Sequence, residues 1–325
     1  MAPKLITIVG ATGAQGRGVV QAFANNPDFQ VRALTRNPSS ESAQSLLSLG
    51  DNVKLHQADA NDPSSLSAAF AGSNIIFAVT NFFEPFATFS SPEKAMDVEA
   101  QQGINMARAA AAVPELEHYI WSTLPDLKTL SGGKRLVPHF EGKNRIDRFI
   151  RSELPDLLAK TTFCWVTFYS SNYGFPMFSP CLVPTAGKHV MFANYAPDTP
   201  ITTIGDVTTN IGVFVNAAVA NPEKTKGGNA VVAGIETITG KEVLEIWGKV
   251  KGVQTQFVRV SGQDYRELWP LWGEEIGLMM EAWDELRERS WTSVHEGQVV
   301  LTANELGVGV EEDLKVQSYE DGLKA

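Results

Sequence analysis

Leu5-Ile6-Thr7-Ile8-Val9-Gly10-Ala11-Thr12-Gly13-Ala14-Gln15-Gly16-Arg17-Gly18 is the stretch from which the fold is read. Its first five residues predict a buried strand, and the glycines that follow open a helix. Gly10 permits the tight turn, Gly13 lets the backbone approach a pyrophosphate, and Gly16 allows helix and strand to pack closely. Free N–H groups at the helix N-terminus attract phosphates. The spacing therefore predicts a phosphate cradle made of Gly10, Ala11, Thr12, Gly13, Ala14, Gln15 and Gly16. A glycine turn without a ligand is the alternative, and the elements that follow argue against it.

Working outward, strands are predicted at Leu5–Val9, Gln30–Thr35, Val53–His56, Ile75–Val79, His118–Ser122 and Phe163–Phe168. Helical stretches lie between them, near residues 15–25, 41–49, 64–71, 93–112 and 139–152. Each is long enough for the crossover that joins parallel neighbours, so the fold class is α/β with a doubly wound parallel sheet. Residues 1–169 read as a Rossmann dinucleotide-binding domain, with 205–235 returning to its sheet through a helix at Val207–Ala220 and a strand at Asn229–Ala233. Residues 170–204, read as loops, and 236–325 read as a smaller substrate-binding lobe. Within the lobe, the helical run Pro270–Arg289 places Trp272, Ile276, Met279, Met280, Trp283 and Leu286 on one face, read as core packing ahead of a substrate-contacting lid.

Of the 325 residues 43% are hydrophobic and 20% charged, as in an ordinary globular chain. The net charge of −10 repels phosphate backbones, so no direct nucleic-acid partner is expected. Two cysteines, Cys164 and Cys181, make neither a disulfide framework nor a zinc site and suggest a reducing compartment. There is no signal-like or membrane-length apolar run, so a soluble cytoplasmic protein is expected, with no membrane partner. No metal-ligand motif, paired acids or nucleophile elbow stands out, and no metal is expected.

At the end of the second strand, Thr35-Arg36-Asn37-Pro38 carries Arg36 where a site selective for NAD would carry an acid. A guanidinium pairs with a 2′-phosphate, which favours NADP(H), and Asn37 joins the expected cofactor contacts. The other reading of Arg36 is a solvated surface arginine. Asp59 and Ala60 follow the third strand and Thr80, Asn81 and Phe82 the fourth, on the crevice side where open α/β sheets bind ligands. Asp59 is read as an acceptor for the adenine amino group or as a helix cap.

The Gly-x-x-Gly-x-x-Gly spacing is that of extended and atypical short-chain dehydrogenases, enzymes that use a Tyr-x-x-x-Lys pair on one helical face and a Ser on the preceding strand. Here the Lys position is Lys143 and the Ser position Ser122, but the Tyr position is His139. His139 is a proton donor, a shaper of the pocket or a plain surface histidine, and the sequence supplies no orienting partner for it. Lys143 is expected to bind ribose hydroxyls. Tyr169, with Asn172 close behind, ends the sixth strand and is a second source of a hydroxyl or a packing residue. Phe82, Phe83, Phe86, Tyr173, Phe175, Met177 and Phe178 line an apolar substrate pocket or anchor loops.

Together, residues 10–16, 35–38, 79–84, His139-Phe140-Glu141-Gly142-Lys143 and 169–172 resemble the NmrA-like family of atypical short-chain dehydrogenases. The resemblance is specific over roughly the first 175 residues. It implies an NADP-binding Rossmann domain with a smaller C-terminal lobe. It also implies one of two roles: a reductase using the helix Lys, or a cofactor sensor acting through a protein partner with little turnover. The first expectation is an NADPH-dependent oxidoreductase that reduces a small, largely apolar C=O, C=N or C=C substrate, with a role in specialised metabolism. The second is a non-catalytic NADP(H) redox sensor.

Overall fold

The computed structural model describes residues 2–309 and 316–324. Residues 310–315, part of the expected 236–325 lobe, lie outside the described residues, as do residues 1 and 325. Strands β1 (Lys4–Ile8), β2 (Phe29–Thr35), β3 (Val53–Gln57), β4 (Ile75–Ala78), β5 (His118–Thr123) and β6 (Thr161–Val166) fall on the six apolar runs. They are followed by β7 (Phe168–Tyr169), β8 (Cys181–Val183), β9 (Lys188–Ala193), β10 (Pro200–Gly205), β11 (Asn229–Ala233), β12 (Glu236–Thr239), β13 (Gln254–Arg259) and β14 (Val300–Leu301).

Among the described residues, eight strands form one parallel sheet in the order β14-β11-β6-β5-β4-β1-β2-β3. The fold is thus doubly wound α/β. Its six expected core strands gain β11 and β14; the latter is only two residues long and too short to show a period. The chain turns back on itself between β1 and β4. A crevice opens at the carboxyl ends of such neighbours, and this places the segments after β1 and β4 side by side. A Cβ at Gly10 would lie 2.9 Å from Val79 Cγ1.

Strand side chains alternate between two apolar layers, as a period of two requires. Ile120, Cys164 and Val231 face the helices Ala14–Phe23 and Val207–Ala220. Tyr119, Trp121, Phe163 and Trp165 face Pro63–Phe70, Pro92–Ala111 and Pro138–Glu153. The first pair of helices crosses almost backbone to backbone: a Cβ at Gly18 would sit 2.6 Å from Thr208 O, and one at Gly212 would sit 2.5 Å from Gly18 O.

A third apolar cluster fills the smaller lobe. Here the loops expected over 170–204 are partly strands, with β8 and β9 joined to β13 in one small sheet and β7 and β10 joined to β12 in another. Apart from the β8–β9 hairpin, these strands find partners far along the chain, so local pattern says little about them. The run expected at Pro270–Arg289 is helical over Trp272–Leu286. Leu271 just before it and Arg287 just after adopt positive φ, +70° and +52°.

Candidate active site

The helix Ala14–Phe23 begins at Gly13 with no side chain capping it, which leaves its first N–H groups for a ligand. Gly10 holds φ +66°, and Gly13 N–H donates to Gly10 O at 2.9 Å. A Cβ at Gly16 would collide with the Gly10 carbonyl and lie 2.8 Å from Ala11 Cα. Gly10 thus needs its conformational freedom and Gly16 its lack of a side chain. A phosphate fits this cradle on geometry alone.

Three of the expected residues form one chain of neutral hydrogen bonds across the sheet's carboxyl edge. Ser122 Oγ donates to Gln15 Oε1 at 2.7 Å, and Gln15 Nε2 donates to Tyr169 Oη at 2.6 Å. Burial pushes the Tyr169 phenol up to about 12, only partly opposed by the Gln15 bond, so it keeps its proton at neutrality. Asn172 follows in a short 3₁₀ turn, Ser170–Gly174, where its carbonyl accepts from Phe175 N–H.

The helix Pro138–Glu153 supplies the charged side. Lys143 Nζ lies buried, 2.9 Å from Thr80 Oγ1, 3.2 Å from Thr80 O and 3.2 Å from Glu99 Oε1. Thr80 Oγ1 in turn donates to Glu99 Oε1 at 2.7 Å. The ammonium thus makes two hydrogen bonds to Thr80 and a salt bridge to Glu99. Glu99 is fully buried on Pro92–Ala111, and among the described residues its Oε2 has no hydrogen-bond partner.

His139, one turn earlier, has the orienting partner that the sequence did not reveal. Its ring Nδ1 contacts Glu275 Oε1, and its backbone N–H donates to the same oxygen at 3.1 Å. Glu275 is 1% exposed, on the lobe helix Trp272–Leu286. A carboxylate on Nδ1 places the proton of a neutral imidazole there and leaves Nε2 as the acceptor; among the described residues Nε2 has no hydrogen-bond partner. The surface-histidine reading is corrected, since His139 is 7% exposed.

Aromatic rings enclose this imidazole. Phe82 and Phe83 have centroids 6.0 and 5.4 Å from it, and Trp272 lies 5.9 Å from Phe83 and 5.1 Å from Phe86. The segment after Phe82 is a helix, Phe83–Phe89, instead of a loop. Tyr173, Met177 and Phe178 pack instead in the lobe core, and Phe175 is exposed, so the apolar wall is smaller than the sequence suggested.

Around the second and third strands the expected contacts are engaged locally. Arg36 forms a two-pronged pair with Glu84, Nη1 to Oε1 at 2.6 Å and Nη2 to Oε2 at 3.1 Å, which raises the guanidinium pKa further. Asn37 Oδ1 accepts from Ser39 N–H, and Asp59 Oδ1 from Asn61 N–H. Ala60 O accepts from Asn105 Nδ2. Asn81 Oδ1 accepts from Phe83 N–H. The cap of Pro63–Phe70 is Asp62, not Asp59.

Glu84, Glu99 and Glu275 escaped the sequence reading. A signal existed for two of them. Glu99 falls among Met96, Ala100 and Gly103, and Glu275 among Trp272, Ile276 and Met279, so each is an acid on the apolar face of its helix.

This sheet, switch point and uncapped glycine turn define a doubly wound α/β fold of the Rossmann type. The sequence pattern of the NmrA-like family matches residues 2–301, and the chain belongs to that family. One curated relative is the NmrA-like family domain-containing oxidoreductase hkm9 of Aspergillus hancockii. It is 29% identical over 269 residues, 78% of this chain and 74% of that one. Among solved structures, NmrA, a negative transcriptional regulator, in complex with NADP superposes with a TM-score of 0.76 at 20% identity, over 100% of this chain and 95% of that one. The triphenylmethane reductase of Citrobacter sp., complexed with NADP(H), gives 0.68 at 18% identity over 99% of both chains. Among the described residues no helix is long and apolar enough to cross a membrane, and no group of three or more His, Cys, Asp or Glu side chains could hold a metal.

Proposed function

We propose that the protein is an NADPH-dependent oxidoreductase acting on a small, largely apolar C=O, C=N or C=C substrate. The observation that carries this reading is the buried His139–Glu275 pair beside Phe82, Phe83 and Trp272, one helical turn from Lys143. A histidine oriented by a buried carboxylate is suited to hold or pass a proton where a tyrosine is missing. The relatives named as oxidoreductases and the reductase that shares the fold support the same class.

The glycine turn fits a pyrophosphate because no side chain caps the helix Ala14–Phe23 at Gly13 and its first N–H groups face the ligand, and Arg36 fits a 2′-phosphate. When bound there, the nicotinamide cofactor supplies hydride. Lys143 holds ribose hydroxyls by exchanging one of its bonds to Thr80, while the salt bridge to Glu99 keeps the ammonium in place. His139 presents Nε2 to the substrate as a proton acceptor, and Tyr169 is the proton-bearing group. The aromatic wall excludes water and accepts an apolar substrate. The second reading, an NADP(H) sensor acting through a protein partner, is favoured by the hold that Thr80 and Glu99 already have on Lys143.

The test is calorimetric titration with NADPH, NADP⁺, NADH and NAD⁺, followed by an NADPH-oxidation screen over ketones, imines and enones. Turnover that disappears in a Lys143→Met/Glu99→Leu double variant, which leaves neither charge alone, supports the reductase. Tight binding without turnover across the screen selects the sensor, and no dinucleotide binding overturns both.

A further inference from the structure

Resting on the 2′-phosphate reading of Arg36, a second property emerges from what that residue already holds. The end of the guanidinium presents one donor from Nη1 and one from Nη2 to a two-oxygen anion, and Glu84 occupies that face. The two side chains are 64% and 51% exposed. An ion pair so open to solvent is weak and easily exchanged. Glu84 also belongs to the helix Phe83–Phe89, whose Phe83 packs against His139 and Trp272 and whose Phe86 meets Trp272 edge-on. One residue therefore ties the nucleotide edge of the sheet to the aromatic wall beside the imidazole.

We propose that Glu84 is an internal competitor for the 2′-phosphate, holding Arg36 until NADP(H) takes it and thereby releasing the helix Phe83–Phe89. A phosphate carries more charge than a carboxylate and repels the carboxylate it displaces. The neutral 2′-hydroxyl of NAD(H) has no charge with which to replace Glu84, so the pair survives NAD(H) binding. The chain thus distinguishes the two dinucleotides by the state of its substrate wall as well as by affinity. Because the exchange weakens NADP(H) binding, the same free energy loosens the helix.

The experiment titrates the full chain with NADP⁺, NAD⁺, adenosine 2′,5′-bisphosphate and AMP, in the wild type, Glu84→Gln and Arg36→Ala. Hydrogen exchange is followed over residues 83–89. Glu84→Gln is expected to tighten NADP⁺ and the bisphosphate roughly fivefold, the range an exposed ion pair allows, and to leave NAD⁺ and AMP unchanged. Exchange over 83–89 rises in the wild type with NADP⁺ but not NAD⁺, and is already raised in free Glu84→Gln. If Arg36→Ala abolishes NADP⁺ preference while Glu84→Gln changes neither affinity nor exchange, the competitor role fails and the phosphate site stands. Equal loss of NADP⁺ and NAD⁺ in Arg36→Ala, or no nucleotide binding by the wild type, overturns both.

Discussion

Along one edge of the candidate site Ser122, Gln15 and Tyr169 are joined by neutral hydrogen bonds. A short distance along the sheet, Lys143 with Glu99 and His139 with Glu275 bury four ionisable groups. The two regions share a crevice but obey different physics. A neutral bond between partly solvated groups adds about 1 kcal/mol and is nearly indifferent to pH. A buried charge survives only through its partner, and losing that partner is expensive. The neutral chain therefore suits a surface that positions a cofactor, while the charged pairs suit the place where protons are held and moved.

The largest expected effect comes from breaking a pair on the charged side. Lys143→Met should destabilise the fold by about 3–5 kcal/mol, because Glu99 is left buried without its cation. Adding Glu99→Leu should recover most of that loss in urea unfolding; simple additivity of the two substitutions would break the distinction between the regions.

A smaller effect sharpens the comparison through pH. Asp147, one turn beyond Lys143, accepts from Trp121 Nε1 at 2.7 Å and Thr123 Oγ1 at 2.9 Å. Burial pushes its carboxyl up from 3.8 to about 7, against the pull of those bonds. The folded chain thus binds this proton more tightly than the unfolded one. Its stabilising contribution is present in full below pH 3.8 and fades as the pH rises through about 7. Asp147→Asn should flatten that decline by at least about 1.4 kcal/mol, the equivalent of one pH unit, in unfolding curves taken across the window. Parallel curves for the two proteins would remove Asp147 from the pH response.

Smallest is Tyr169→Phe on the neutral side, expected to cost about 1 kcal/mol with the same value at pH 6 and pH 8. The phenol does not titrate near neutrality, so a loss that varied between those two conditions would contradict the neutral character of that chain.

How far each region was readable from sequence follows from the range of its contacts. The glycine turn, Ser122, Lys143 and the six core strands are written in neighbouring residues and short periods, and the structure puts them at one edge of one sheet. Glu275 sits beside Glu274 and resembles a solvated pair of acids until the lobe helix is packed against residue 139, 136 positions away. Phe83–Phe89 is only seven residues long and carries Pro85 in its first turn, where a proline sacrifices no bond, so a short helix there reads like a loop. The strands β8 and β9 pair with each other across the turn at residues 184–187, but β8 has only three residues and the other partner of β9 begins only at Gln254, so the alternation is too brief to be read locally.

The sheet order also has a consequence for how the protein is made. All six residues of β6 are buried in the finished fold, yet its outer neighbour β11 begins only at residue 229, and β14 covers β11 only at residue 300. A nascent chain that has emerged as far as β10 already contains the glycine turn and its partners, but it carries an open, apolar flank of unpaired backbone groups. Products that terminate prematurely in that interval should pair with one another along β6 and aggregate, even with the first half of the sheet correctly formed.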